Sequence, residues 1–318
     1  GTLSVQVLTN SRTGAEAVRA RFNRPCELDV AYANGGISST LSHPFLAYEP
    51  RAAGIYSDWE ARAAEIRLSR RAERNSYWFV DDTAALRAEW PKILSGQPDV
   101  LKIFLLDASE NPPPINAEGL PRGHGLRPSV ASAFVKLAHA AGIRVAAHVE
   151  TANDFRIAVD AGVDMFAHLP GYEIEKNLPS AAAEIDEPTA RRAGARGIVF
   201  TPTVSLAVLS AEPVTPDSLV ERRRAIQRRN IQLLMRHGAR HANGSDWFGR
   251  TAWGEVEALS ALGILSLEQV ARAWMATPQL IFPRRQIGAL HDGYEATLLV
   301  FRENPTAPVA LTRAVQVE

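Results

Sequence analysis

Four residues have the types and settings to do chemistry together. Ile143, Val145 and Ala147 lead into His148, and Val163, Met165 and Ala167 lead into His168. Ala152 to Ala161 reads as a short helix between them, stopped by Gly162. The pattern is strand, helix, strand, with each strand ending in a histidine. In a barrel of parallel strands, side chains at that end face the active-site mouth. Two imidazoles there suit a metal. A single strand-end histidine is more often a hydrogen-bonded rim residue; two in equivalent positions favour ligands.

Lys102 interrupts an otherwise apolar strand, DVLKIFLL, from Asp99 to Leu106. A lysine there is expensive unless its charge is matched or chemically altered. The bland alternative is a side chain that snorkels to the outer face. Asp246 ends the short strand ARHANGSD. A carboxylate at that point suits a metal ligand or general base; it also suits a helix N-cap or a turn.

The elements that must position these residues follow from periodicity and punctuation. Strands are predicted over Leu3 to Leu8, Leu28 to Tyr32 and Gly197 to Pro202. Helices are predicted over Ala15 to Phe22, Asp58 to Ala72, Thr83 to Leu94, Ser129 to Ala141, Pro188 to Ala195, Val220 to His237, Trp253 to Leu262 and Leu267 to Thr277. Asp82 is the N-cap of the third of these. The arginine-rich face of Val220 to His237 reads as solvated surface. Tyr77, Trp78 and Phe79 read as core. The loop ANGGISSTLSHP carries His43; a histidine in such a loop is usually solvent-exposed, and the alternative, at a barrel's upper rim, is contact with substrate. The proline loop at 112–114 is a candidate lid, and His139 is structural. From Ile287 onward a small β element follows.

A chain of 318 residues fits one large barrel or two domains of about 100–200 residues. Lys plus Arg and Asp plus Glu are both 35, so no basic surplus argues for nucleic acid. Cys26 is the single cysteine, so no internal disulfide forms. This fits the cytosol and is compatible with the periplasm. No apolar run reaches the roughly 18 residues of a membrane span. The chain opens directly on a strand and stops on one, which predicts a fragment.

Taken in order, Lys102, His148, His168 and Asp246 resemble the pattern of the amidohydrolase superfamily. VLKIF resembles its carboxylated-lysine strand, AAHVETANDFRIAVDAGVDMFAHLPG its paired-histidine segment, and NGSDWFG its eighth-strand Asp motif. ATPQLIFPRRQIGALHDGYEATLLVFRENP is similar to its closing stretch. The resemblance spans nearly the whole chain and is nearest to imidazolonepropionase-like and prolidase-like members. It implies a (β/α)8 TIM barrel over residues 1–285, with strands 2–8 visible. Residues 286–318 would be the remnant of a small β-sandwich domain. The family's His-x-His pair is absent from the eight histidines, and GTLSVQVLT resembles the family's second strand.

The resemblance further implies a metal-dependent hydrolase of amide, peptide or cyclic amide bonds. Lys102 as a carbamate, His148, His168 and Asp246 would be metal ligands, and Asp246 the general base and acid. The default metal is zinc, two per complete site and fewer, held weakly or not at all, in this chain. His43, Tyr172 and Trp247 would line the substrate pocket; Arg250 is either a solvated loop residue, as arginine in a loop usually is, or meets a substrate carboxylate. The partner is a small molecule or dipeptide; homo-oligomer formation stays open. Two rivals remain. Lys102 would be the Schiff-base nucleophile of an aldolase-type barrel, or the protein is a non-catalytic homologue.

Overall fold

The computed structural model describes residues 3–24, 27–115, 119–172, 178–209, 217–246, 252–295, 298–300 and 315–317. Cys26, Trp247 and Arg250 lie outside these. The first half holds β1 (Ser4–Val7), α1 (Arg12–Val18), β2 (Asp29–Tyr32), β3 (Gly36–Ser38), α2 (Phe45–Ala52), α3 (Ala63–Leu68), β4 (Tyr77–Phe79), α4 (Thr83–Ser95), β5 (Leu101–Leu105) and α5 (Pro128–Ala140). Then follow β6 (Val145–Val149), α6 (Ala152–Ala161), β7 (Met165–Ala167), α7 (Glu187–Ala195), β8 (Val199–Thr201), α8 (Val204–Leu209) and α9 (Asp217–Arg236). The last are β9 (Arg240–His241), α10 (Trp253–Ala261), α11 (Leu267–Ile281), β10 (Leu298–Val300) and β11 (Val315–Val317). Strands β3 to β9 belong to a largely parallel sheet, which makes this an α/β fold. No helix among the described residues is long and apolar enough to cross a membrane.

The chain divides into two compact units. One comprises Val7–Ala20 and Tyr32–Met165. Its strands run in the order β4-β3-β5-β6, all parallel, with Lys102 beside Ala146 and Phe104 beside His148. All five residues of β5 and of β6 are buried, as strands covered on both faces must be. Gly36 on β3 has no alternative: a Cβ there would sit 2.1 Å from the Phe104 ring. The helix α6 has the predicted bounds. Thr151 and Asp154 form a capping box, and Gly162 closes the helix at φ 104°.

The other unit comprises Gly1–Gln6, Arg21–Ala31 and Phe166–Glu318. Here β8 and β9 pair in parallel, and β10 pairs antiparallel with β11. The ninth strand is shorter than Ala239 to Asp246. After Ala242 the ladder ends, because the Asn243 amide donates to the Thr277 hydroxyl. Helix α11 overruns its predicted end at Thr277, passing through Pro278 to bury Leu280 and Ile281. An interior proline costs about 3 kcal/mol. Two buried aliphatic side chains return roughly 1.5–3 kcal/mol each, enough to offset it.

The predicted helix over Asp58 to Ala72 shrinks to α3. Glu49, fully buried on α2, draws the following chain out of helical geometry. Its carboxylate accepts from the backbone N–H groups of Arg71 and Ala72, the Ser69 hydroxyl and the Tyr77 hydroxyl. Those two amides are then not available to a helical ladder. Tyr77 and Trp78 are buried, as expected of core, and they lie on a strand.

His241 on β9 is buried, and its ring stacks on Phe200 at 5.5 Å. Burial lowers its pKa to about 4. The fold favours the neutral ring, so His241 contributes stability above its unfolded value near 6.5. That stability is lost as pH falls toward about 4, by about 3 kcal/mol in all. His241→Phe is expected to flatten this acid-side loss. Urea midpoints at pH 7 and pH 4.5 check it, and an equal fall in both proteins would contradict it.

Candidate active site

In the first unit the site is built on β5 and β6. Lys102 is only 2% exposed. It therefore does not snorkel to solvent. Its ammonium packs 5.2 Å from the Phe104 ring centroid, a contact that offsets part of its desolvation. His148, also buried, lies 5.1 Å from the same ring. Its Nε2 is 3.7 Å from Glu150 Oε1. The exposed His43 stacks over His148 at 4.9 Å and meets Phe104 edge-on at 5.0 Å. The sequence-predicted His43, Lys102 and His148 thus gather around one aromatic ring.

The loop after β5 is held in place by Asp154 on α6. Its fully buried carboxylate accepts from the backbone N–H groups of Asp107 and Ala108 and from Thr151. A carboxylate on the helix after one strand therefore fixes the loop after the preceding strand. His139 is structural as expected, its Nε2 2.9 Å from Asp164 Oδ2.

In the second unit His168 follows β7 directly. Its backbone N–H donates to the Thr201 carbonyl on β8. Gln227 and Asn230 of α9 donate to the carbonyls of Leu169 and Pro170, fixing the turn that follows. Opposite its arginine-rich face, this helix thus has a buried face that fixes the turn after His168. The imidazole is stacked on Tyr172 at 4.3 Å, and Tyr172 is itself buried. Its Nδ1 lies 2.6 Å from Thr203 Oγ1, and its Nε2 lies 3.3 Å from Asp246 Oδ2.

The proton inventory of this pair follows from Thr203. Its hydroxyl has one proton, which can serve only one of its two neighbours, the Pro202 carbonyl at 2.8 Å or His168 Nδ1 at 2.6 Å. Given to Pro202, it leaves Nδ1 with the ring proton and Nε2 as a lone pair facing the carboxylate, an arrangement that calls for a cation between them. Given to Nδ1, it leaves Nε2–H to donate to Asp246 Oδ2. The Nε2–Oδ2 spacing is close to the ~3.4 Å expected of two ligands each about 2.1 Å from a tetrahedral zinc. An Nδ1–H anchored to a hydroxyl, with Nε2 turned to the site, is how a metal-binding histidine is oriented. The donor chemistry of His168 and Asp246 fits a divalent cation.

The local backbone is strained to achieve this. His168, Thr203 and Asp246 have φ of 71°, 51° and 49°, each costing of order 1–3 kcal/mol. Thr203 is β-branched, for which such a φ is a genuine outlier. Sequence reasoning missed Thr203 and Glu255. Glu255 on α10 is fully buried and accepts from the Val204 and Ser205 amides at 2.8 Å each. Burial pushes its pKa up to about 7 against the pull of those bonds. Among the described residues no group of three or more His, Cys, Asp or Glu is placed to hold a metal ion. Trp247, predicted to contact substrate, lies outside the described residues.

A scan against protein-family models and a search of curated proteins return no match. Solved structures do match. A. niger ochratoxinase superposes with a TM-score of 0.69 at 18% identity, covering 98% of this chain and 68% of that one. A Xaa-Pro dipeptidase, solved with methionine in its active site, gives 0.64 at 16%, covering 97% and 71%. Bottromycin amidohydrolase gives 0.60 at 18%, covering 99% and 69%. This chain has the amidohydrolase fold. Within the amidohydrolase fold, identity this low speaks for the architecture alone. The roles of His148, His168 and Asp246 have to be argued from their own geometry.

Proposed function

We propose that this protein is a metal-dependent hydrolase of amide or peptide bonds, built on a (β/α)8 barrel. The observation that carries the reading is the His168–Asp246 pair, with Nδ1 anchored and Nε2 turned to a carboxylate. Lys102 and His148 in one unit, and His168 and Asp246 in the other, serve as metal ligands, with zinc as the default for these donors. Lys102 enters this set as a carbamate, which turns a buried cation into an anion. When bound, the cation supplies a Lewis acid for the carbonyl oxygen and lowers the pKa of its water.

The chain's own residues do the rest. The Asp246 side chain is 52% exposed, so water and substrate reach its carboxylate. As general base it takes a proton from the attacking water; as general acid it returns that proton to the leaving nitrogen. Thr203 holds the His168 ring in one tautomer, and Tyr172 covers one face of it. His43 covers His148 from the solvent side. His43, Tyr172 and Trp247 are the residues assigned to substrate contact in this reading. The Xaa-Pro dipeptidase and the amidohydrolases among the similar structures support a dipeptide or other small amide as substrate.

The test is a screen of dipeptides, Xaa-Pro dipeptides included, and cyclic amides, run with and without chelator. Turnover is expected that chelation abolishes and added zinc restores. Turnover indifferent to chelation would overturn the metal-dependent reading.

A further inference from the structure

We infer that Glu255 is a positioning residue that sets the tautomer and aim of His168 without touching it. The path is short and lies within one unit. The two carboxylate oxygens of Glu255 take the amides of Val204 and Ser205, the first two residues of α8. The residue before them is Thr203, whose hydroxyl faces His168 Nδ1. The Ser205 hydroxyl in turn donates to the Ser245 carbonyl, one residue before Asp246. Glu255 therefore fixes the backbone beside Thr203 directly and is linked to the backbone beside Asp246 through Ser205.

Local physics says that this carboxylate is needed. A six-residue helix is far too short to form on its own, and the left-handed φ of Thr203 works against it. Two hydrogen bonds from its opening amides to Glu255 hold the turn and keep Thr203 in that conformation. The arrangement repeats in the other unit, where Asp154 on α6 takes the amides of Asp107 and Ala108 in the loop after β5. Glu255 and Asp154 are both fully buried. In each case a carboxylate on one helix fixes the loop after the preceding strand.

The inference that Glu255 matters for turnover rests on the proposed hydrolase function; the inference that it orients His168 does not. The experiment separates them. Protein labelled with 15N at histidine is compared by NMR as wild type, Glu255→Gln and Glu255→Leu, with zinc absent. The His168 signal is assigned by its loss in His168→Ala. Gln keeps one acceptor and Leu keeps none. The wild type is expected to show the Nδ1–H tautomer at His168. A growing share of the other tautomer is expected in Gln and then Leu, while the buried His241 ring in the same unit stays unchanged. An unchanged His168 signal in both variants overturns the proposal, as does an equal disturbance of His168 and His241. If the substrate screen yields a turnover assay, Glu255→Gln is expected to lower kcat by ~10–100-fold with KM little changed. Failure of that screen leaves the NMR outcome decisive.

Discussion

Asp246→Asn is expected to lower kcat for amide hydrolysis by ~10³-fold or more while leaving the fold in place. A general base contributes typically 10²–10⁴-fold, and the same substitution removes the charge that would hold a cation. Stability is expected to change by less than about 1 kcal/mol, within the range of surface substitutions. The side chain is half exposed, and its contact with His168 survives in altered form. With Nδ1 protonated, Nε2 is an acceptor, and the asparagine amide donates to it. Steady-state kinetics and urea unfolding on the same preparation check both halves. A variant with wild-type kcat would remove Asp246 from the mechanism. A variant that fails to fold would show the pair to be structural, and His168→Ala with retained turnover would confirm that.

Lys102→Met is the second large effect. Lys102 is buried in the apolar strand β5 with its ammonium over Phe104. Replacing a buried charge by an apolar side chain of similar volume is often neutral or stabilising by about 1–4 kcal/mol. The melting temperature is therefore expected to hold or rise. Activity is expected to fall by at least ~100-fold, and metal content with it, because a ligand is gone. The carbamate forms when the lysine amine, having lost a proton, adds to the carbon of carbon dioxide: an N–C bond forms, one C=O π bond opens to C–O⁻, and the nitrogen releases a second proton to solvent. Carbon-13 bicarbonate should then give a carbamate signal in the wild type that is absent from Lys102→Met. A wild type without that signal, trapped instead by borohydride with a carbonyl substrate, would point to Schiff-base chemistry.

What could be read from the sequence was local. The strand, helix, strand of His148 and His168 has its caps and stops within the segment, so Thr151, Asp154 and Gly162 announce it. Lys102 stands out because its neighbours on the strand are all apolar. The residues that hold these groups have distant partners. Thr203 meets His168 across 35 positions, and Glu255 meets Val204 across 51. Nothing at either end of such a contact marks it in one sequence. The same holds for Glu49, which reaches across 23 positions to the Ala72 amide and ends a helix that periodicity extends. The course of α11 past Pro278 was hidden for another reason: the burial of Leu280 and Ile281 outweighs a local breaker.

The most direct test is zinc content, measured by mass spectrometry at equilibrium with a fixed concentration of free zinc. Wild type is compared with His168→Ala and Asp246→Asn. At equal free zinc in the dialysis buffer, the wild type is expected to carry more bound zinc than either variant. Variants that carry as much as the wild type would contradict the assignment of His168 and Asp246 as ligands.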